Sequence, residues 1–166
     1  EILVKHWTFR PEYLNNPAAT KATYTADGFL KMGDVGYARN DGFLSLVGRT
    51  KEVFKSGGYN VYPREIEIAI ERHPEVRLAA VVRRTDPIYS EVGVAFIEPA
   101  NNLDLDRESL INALKKHSRS LLANYKVPKN FVIIDPLPTL PNGKIDKVSL
   151  GERAEQLNTE GPHHHG

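Results

Sequence analysis

The chain contains no cysteine among its 166 residues. That absence excludes disulfides, thiolate-held metal ions and a cysteine nucleophile. An excess of one charge is missing too: 22 Lys and Arg stand against 21 Asp and Glu, a formal net charge of +1. A nucleic-acid binder needs a clear cationic surplus to displace counterions from phosphates, so no nucleic-acid partner is expected. A local cationic site for one nucleotide stays open. No apolar run approaches the ~20 residues needed to cross a bilayer, so no membrane span is expected. Nor does a basic start lead into the apolar stretch of a signal peptide, and the expected location is the cytoplasm.

What is present is an ordinary globular composition, 40% hydrophobic and 26% charged, in a length that suits one medium domain or a small domain with a piece of another. Glu1 is not an initiator Met and opens on the strand-like Ile2-Leu3-Val4, which predicts a piece of a longer chain. Gly161-Pro-His-His-His-Gly166 has a composition that binds metal, but a disordered tail or a cloning remnant is the expectation.

Residues 7 to 25 are polar, with Pro11, Pro17 and Asn15-Asn16, and predict mostly loop with room for a short helical turn. Asp34 to Ala38 and Phe43 to Val47 alternate around Arg39-Asn-Asp-Gly42, a strong hairpin signal because Gly accepts the positive φ of the turn. Gly48-Arg-Thr-Lys-Glu52 is a charged connector and a candidate boundary. A second hairpin follows, Val53 to Lys55 and Tyr59 to Tyr62 around Ser56-Gly-Gly58.

Beyond it the pattern predicts helix, strand, strand, helix, strand. Pro63 suits a first helical position, and Ile66, Ala69, Ile70 and His73 recur at helical spacing until Pro74. Leu78 to Val82 and Val92 to Ile97 are β-rich. Asp104 or Asp106 can cap a helix with Leu110, Leu114 and Leu121 on one face, and Phe131 to Ile134 forms the next strand. Pro136, Pro138 and Pro141 then keep the chain extended. The fold class expected is α+β, a few-stranded sheet covered by two helices, preceded by a hairpin-rich segment.

Three local features can carry chemistry. In Met32-Gly-Asp34, a carboxylate after Gly at a strand start can accept two hydrogen bonds from a vicinal diol such as ribose, although on this tripeptide alone the reading of Asp34 as a turn cap wins. In the stretch Gly48 to Glu67, Arg49 offers a forked donor for phosphate or ribose oxygens, and Ser56-Gly57-Gly58 exposes backbone N–H groups to a close ligand. It is not a Walker loop, because the Gly-Lys-Ser/Thr ending is absent. In Leu137-Pro-Thr-Leu-Pro-Asn-Gly-Lys144, Asn142-Gly143 makes a tight turn. Lys144, expected at the tip of that turn, is either a plain surface lysine or a point charge that reaches into another domain to neutralise a carboxylate or α-phosphate oxygen in a transition state.

In this order and spacing the three features resemble the adenylate-forming superfamily: acyl-CoA synthetases, peptide-synthetase adenylation domains and luciferase. The resemblance runs from Glu1 to about Leu150. It implies activation of a small carboxylic acid by ATP with magnesium to an acyl-adenylate, then transfer to CoA. By the same resemblance residues 1–50 are the end of a large AMP-binding domain, 51–150 the C-terminal lid, and 151–166 a partly disordered tail. Asp34 and Arg49 match the nucleotide-binding pair, and Lys51 matches the hinge about which the lid rotates between half-reactions. Ser56, Gly57 and Gly58 match the loop lining the CoA tunnel, and Lys144 the catalytic lysine of adenylation. No metal ligand falls within the chain. Met32 departs from the family's usual Thr, Lys147 from a frequent Arg, Ser90-Glu91 from a frequent Gly-Glu, and Arg83-Arg84 from a frequent small residue. The phosphate loop, adenine-contacting motif and acyl pocket are absent, so the chain alone is expected to be inactive and to need the missing N-terminal domain of its enzyme. A carrier-protein thiol in place of CoA, or a non-catalytic module keeping only the lid scaffold, are the alternatives.

Overall fold

The computed structural model describes residues 1–100 and 106–157. The chain divides into two compact units, Glu1–Lys51 and Glu52–Gly166. The expectations for Asp104 and for the tail from 161 to 166 fall outside the described residues.

The first unit is built of short pieces. Strand β1 (Leu3–Val4) pairs antiparallel with β2 (Leu30–Lys31), and helix α1 (Pro17–Thr23) lies between them in sequence. The helix occupies a segment expected to be mostly loop. Asn16 caps it by accepting the Ala19 N–H at 3.0 Å, and Pro17 at its first position has no N–H to leave unpaired. Strands β3 (Asp34–Ala38) and β4 (Leu44–Arg49) form the first hairpin, with a register shift at Val35/Gly36. The expected connector begins later than its charge pattern suggested. Gly48 and Arg49 are still strand, because Arg49 pairs across the ladder with Asp34. No residue of this unit is buried.

The second unit holds the core. Strands β5 (Phe54–Ser56) and β6 (Tyr59–Val61) form the second hairpin. Ser56 is the last strand residue and is buried, rather than part of the turn, which consists of Gly57 and Gly58 alone. Both take positive φ, +56° and +88°, the backbone that a two-residue turn needs to match the right-handed twist of its strands. Helix α2 (Pro63–Glu71) follows, then the long strands β7 (Val76–Asp86) and β8 (Ser90–Pro99), helix α3 (Arg107–Leu121) and β9 (Asn130–Ile133). The sheet order is β6-β5-β8-β7. The β5 side of β8 is shared: β5 bridges it at Ser90, and β9 runs parallel along Val94–Ile97.

Alternation along the strands sends side chains to two cores. Ala79, Val81, Ala95, Ile97, Phe131 and Ile133 pack beneath α2 and α3, with Ile66, Ile70, Leu110 and Leu114. Leu121, expected on that buried face, is 47% exposed. The chain leaves the helix at Leu122, and that side chain enters the core instead. Ala80, Val82, Val94 and Phe96 face the other way and are covered by helix α4 (Lys147–Gln156) through Leu150 and Ala154.

This third covering helix corrects two expectations: among the described residues the sheet is covered by three helices of eight or more residues rather than two, and residues 151–156 are helix, not tail. Asp146 caps it by accepting the Val148 and Ser149 N–H groups, and Glu155 accepts the Thr85 N–H at 2.9 Å. The signal was weak because the helix contributes only two buried side chains, too few for a clear stripe.

Candidate functional site

The expected site residues occupy three places. In the first unit, β3 begins at Asp34, and the antiparallel register sets it opposite Arg49. The Arg49 Nε lies 3.1 Å from the Asp34 Oδ1, with the guanidinium 58% exposed and the carboxylate 27%. The Thr50 N–H donates to the Gly33 carbonyl at 2.8 Å and closes the strand end around the pair. A carboxylate with a free oxygen and a forked donor thus stand side by side at one strand terminus, a combination suited to sugar hydroxyls and anionic oxygens. Lys51, two residues on, is exposed and ends the unit.

In the second unit, the Gly57–Gly58 turn is held by its neighbours. Ser56 bridges Ser90, the Gly57 N–H donates to the Tyr89 carbonyl at 2.9 Å, and the Lys55 N–H donates to Glu91 at 2.8 Å. Beside it lies a cavity of about 230 Å³, lined by Ser56, Tyr89, Gly93, Asn124, Tyr125 and Lys129 among others. Tyr59 stacks on Tyr125 with ring centres 4.6 Å apart, and the Lys129 ammonium sits 4.5 Å from the centre of the Tyr89 ring.

Lys144 sits on a third element, a small hairpin after β9. The Leu140 N–H donates to the Lys144 carbonyl at 2.7 Å and the Gly143 N–H to the Leu140 carbonyl at 2.9 Å. Residues 141–143 are therefore a three-residue loop. Gly143 sits in the left-handed region at φ +79°, as such loops require. Thr139 and Ile145 bridge below it, and Asn142 Oδ1 accepts the Lys144 N–H at 3.1 Å. Lys144 lies on the return arm, just past the turn rather than at its tip, because its carbonyl already pairs with the Leu140 N–H across the hairpin. Its side chain is exposed and makes no hydrogen bond or ion pair among the described residues, so its ammonium is available to an anion.

The structure pairs Asp34 with Arg49 and groups Ser56, Gly57 and Gly58, while Lys144 stands on a separate hairpin. It also brings together residues whose pairing sequence reasoning missed. The Lys147 ammonium is 2.8 Å from the buried Glu67 Oε1 and hydrogen-bonded to Glu52. Glu67 further accepts the Val81 N–H at 3.0 Å and pairs with Arg64 at 3.4 Å. Burial works to lower the Lys147 pKa, but the Glu67 and Glu52 carboxylates outweigh it and hold it above the ordinary lysine value. The signal available in sequence was Arg64 and Glu67 at i,i+3, but nothing local pairs them with residues 80 positions away. Among the described residues no group of three or more His, Asp or Glu stands close enough to hold a metal ion.

Residues 65–144 match the family of AMP-binding enzyme C-terminal domains. The likeness to that domain lies in these residues. The 2-succinylbenzoate–CoA ligase of Listeria monocytogenes is 40% identical over 153 residues, 92% of this chain and 31% of the relative. An amide bond synthetase from Marinactinospora thermotolerans superposes with a TM-score of 0.76 at 33% identity, over 85% of this chain and 28% of that one. The o-succinylbenzoate CoA synthetase of Bacillus subtilis, solved with its acyl-adenylate intermediate, superposes with a TM-score of 0.71 at 32% identity, covering 82% and 27%. The chain spans about 31% of the length of the first curated relatives it matches. The mixed α+β architecture is that of the AMP-binding C-terminal lid. No helix among the described residues is long and apolar enough to cross a membrane.

Proposed function

We propose that this chain is the C-terminal part of an ATP-dependent, AMP-forming acid–thiol ligase. The parent enzyme activates a small carboxylic acid as its acyl-adenylate and transfers the acyl group to CoA. The observation that carries this reading is the exposed Lys144 ammonium, unpaired among the described residues, on a hydrogen-bonded hairpin, in a domain whose relatives are CoA ligases. An ammonium delivered to the acyl carboxylate and the α-phosphate offsets the negative charge that brings them apart and that grows in the transition state. Asp34 and Arg49 hold the nucleotide: the carboxylate accepts ribose hydroxyls, and the guanidinium donates to ribose or phosphate oxygens. Lys51 is the pivot of the lid. After adenylation the Gly57–Gly58 turn replaces Lys144 at the shared site, and its backbone, free of side chains, leaves room for the pantetheine arm of CoA.

Residues 1–51 are the last part of the large domain. Their lack of any buried side chain supports this, because such a unit has no core of its own. The rest of that domain carries the phosphate loop, the acyl pocket and the magnesium-bound nucleotide, and this chain without it is inactive. A second reading, with the acyl group passed to an acceptor other than CoA, is favoured by the amide bond synthetase among the structural neighbours.

Kinetics of the full-length parent test the assignment. Lys144→Ala lowers carboxylate-dependent pyrophosphate exchange by about 100-fold or more, the scale of one lost electrostatic partner, and spares thioester formation from preformed acyl-adenylate. Gly58→Leu has the reverse pattern. Full adenylation in Lys144→Ala sinks the role of Lys144, and equal loss of both half-reactions in Gly58→Leu sinks the two-step lid.

A further inference from the structure

The Lys144 hairpin is clamped at both of its arms by buried carboxylates. On the incoming arm Glu98, 2% exposed, accepts the Leu137 N–H at 2.9 Å and pairs with Arg77. On the outgoing arm Lys147, the first residue of α4, is held by Glu67, a buried residue of α2 that also accepts the Val81 N–H of β7. Between the clamps the Asp146 N–H donates to the Pro138 carbonyl at 2.9 Å.

A counter-ion for the buried Glu67 needs only one cation, and Arg64 and Lys147 both serve. The second bond of Lys147, to Glu52, is not explained by that need. Glu52 is no part of the core, its side chain being 31% exposed, and it is the first residue of the second unit, directly after Lys51. Buried and half-buried ion pairs are poor sources of net stability but hold geometry well. The Lys147–Glu52 bond makes residue 52 travel with the body of the lid, so that any pivot lies before Glu52.

We infer that Lys147 is a positioning residue for Lys144, acting by tying the base of the Lys144 hairpin to Glu52 beside the pivot. The inference rests on the adenylation role proposed above for Lys144. The ammonium of Lys147 touches no substrate; it fixes where Lys144 stands relative to the point about which the lid turns. A displacement of about 1 Å at a catalytic group costs on the order of 100-fold in rate.

The test uses the full-length parent enzyme with Lys147→Met, Lys147→Arg, Glu52→Gln and Lys144→Ala, the first and third also combined with Lys144→Ala. Pyrophosphate exchange, thioester formation from preformed acyl-adenylate and the unfolding midpoint are measured for each. Lys147→Met and Glu52→Gln lower the kcat of exchange by about 10- to 100-fold with the KM for ATP within about threefold, because ground-state binding is untouched. Lys147→Arg restores exchange to within about threefold, since the charge and two donors remain. In the Lys144→Ala background the same substitutions change exchange by less than about twofold, as expected of residues that act through one group. Glu52→Gln keeps the Lys147–Glu67 pair, so it decides the matter if Lys147→Met does not fold.

Exchange by Glu52→Gln within about twofold of wild type overturns the inference. So does a loss in Lys147→Met that is equally large with and without Lys144, or one that lies wholly in KM. If Lys144→Ala itself retains full exchange, the adenylation reading falls and takes this inference with it. If Lys144→Ala abolishes exchange while Glu52→Gln is silent, only the inference falls.

Discussion

The turn that leads into Lys144 rests on one backbone angle. Gly143 stands at φ +79°, where a Cβ costs about 1–2 kcal/mol in strain, though the space around it is open. Gly143→Ala therefore destabilises this chain by about that amount and shifts the Lys144 arm without filling any cavity. Thermal unfolding of the variant beside wild type checks the first part, and exchange kinetics of the parent enzyme check the second. Asn142-Gly143-Lys144 was legible in sequence because the conformation is a property of these residues themselves. The pairing of Asp34 with Arg49 was foreseen only as two candidates for one nucleotide; the ladder register that makes them neighbours lies in the strands, not in either residue.

At the scale of elements, α4 is the clearest gap between pattern and outcome. Its cap, Asp146, and its two buried residues, Leu150 and Ala154, are all that mark it, and a run of prolines before it draws the eye to extended chain. Leu150 is 1% exposed in the second core with Phe96 and Leu137, so Leu150→Ala costs about 2–5 kcal/mol. Denaturant unfolding measures that loss; a cost below about 0.5 kcal/mol, the size of a surface change, would return residues 151–156 to the status of a tail. Ser56 illustrates the same limit in reverse. Ser-Gly-Gly looks like a turn of three, yet the bridge to Ser90 recruits the serine into the sheet and buries it.

For the second unit as a whole, charge organises the contacts that link distant segments. Lys147, Glu52 and Glu67 join α4, the start of the unit and α2. The raised pKa of Lys147 fixes the sign of its pH dependence: a group whose folded value lies above its unfolded one contributes fully below the unfolded value and loses that contribution as pH rises through the folded value. With the ordinary lysine value at 10.5, the ammonium's contribution is intact across neutral pH and is lost in alkali. Unfolding midpoints followed upward in pH fall for wild type above that value and fall less for Lys147→Arg, because a guanidinium stays charged there. Equal curves for the two proteins would remove Lys147 from the account of alkaline stability.

The amino-acid sequence by itself determined the α+β class, the hairpins at Asp-Gly and Gly-Gly, the tight turn at Asn-Gly, helices α2 and α3, and the identity of the residues that can carry charge to a ligand. Those features depend on local conformational preference and periodicity, which a linear reading contains. Only the tertiary structure decided that the sheet is covered on both faces, that Ser56 is buried, and that Lys147 is held by Glu52 and Glu67. Each of these is a contact between segments far apart in the chain, set by strand register and packing, and no window of neighbouring residues encodes it.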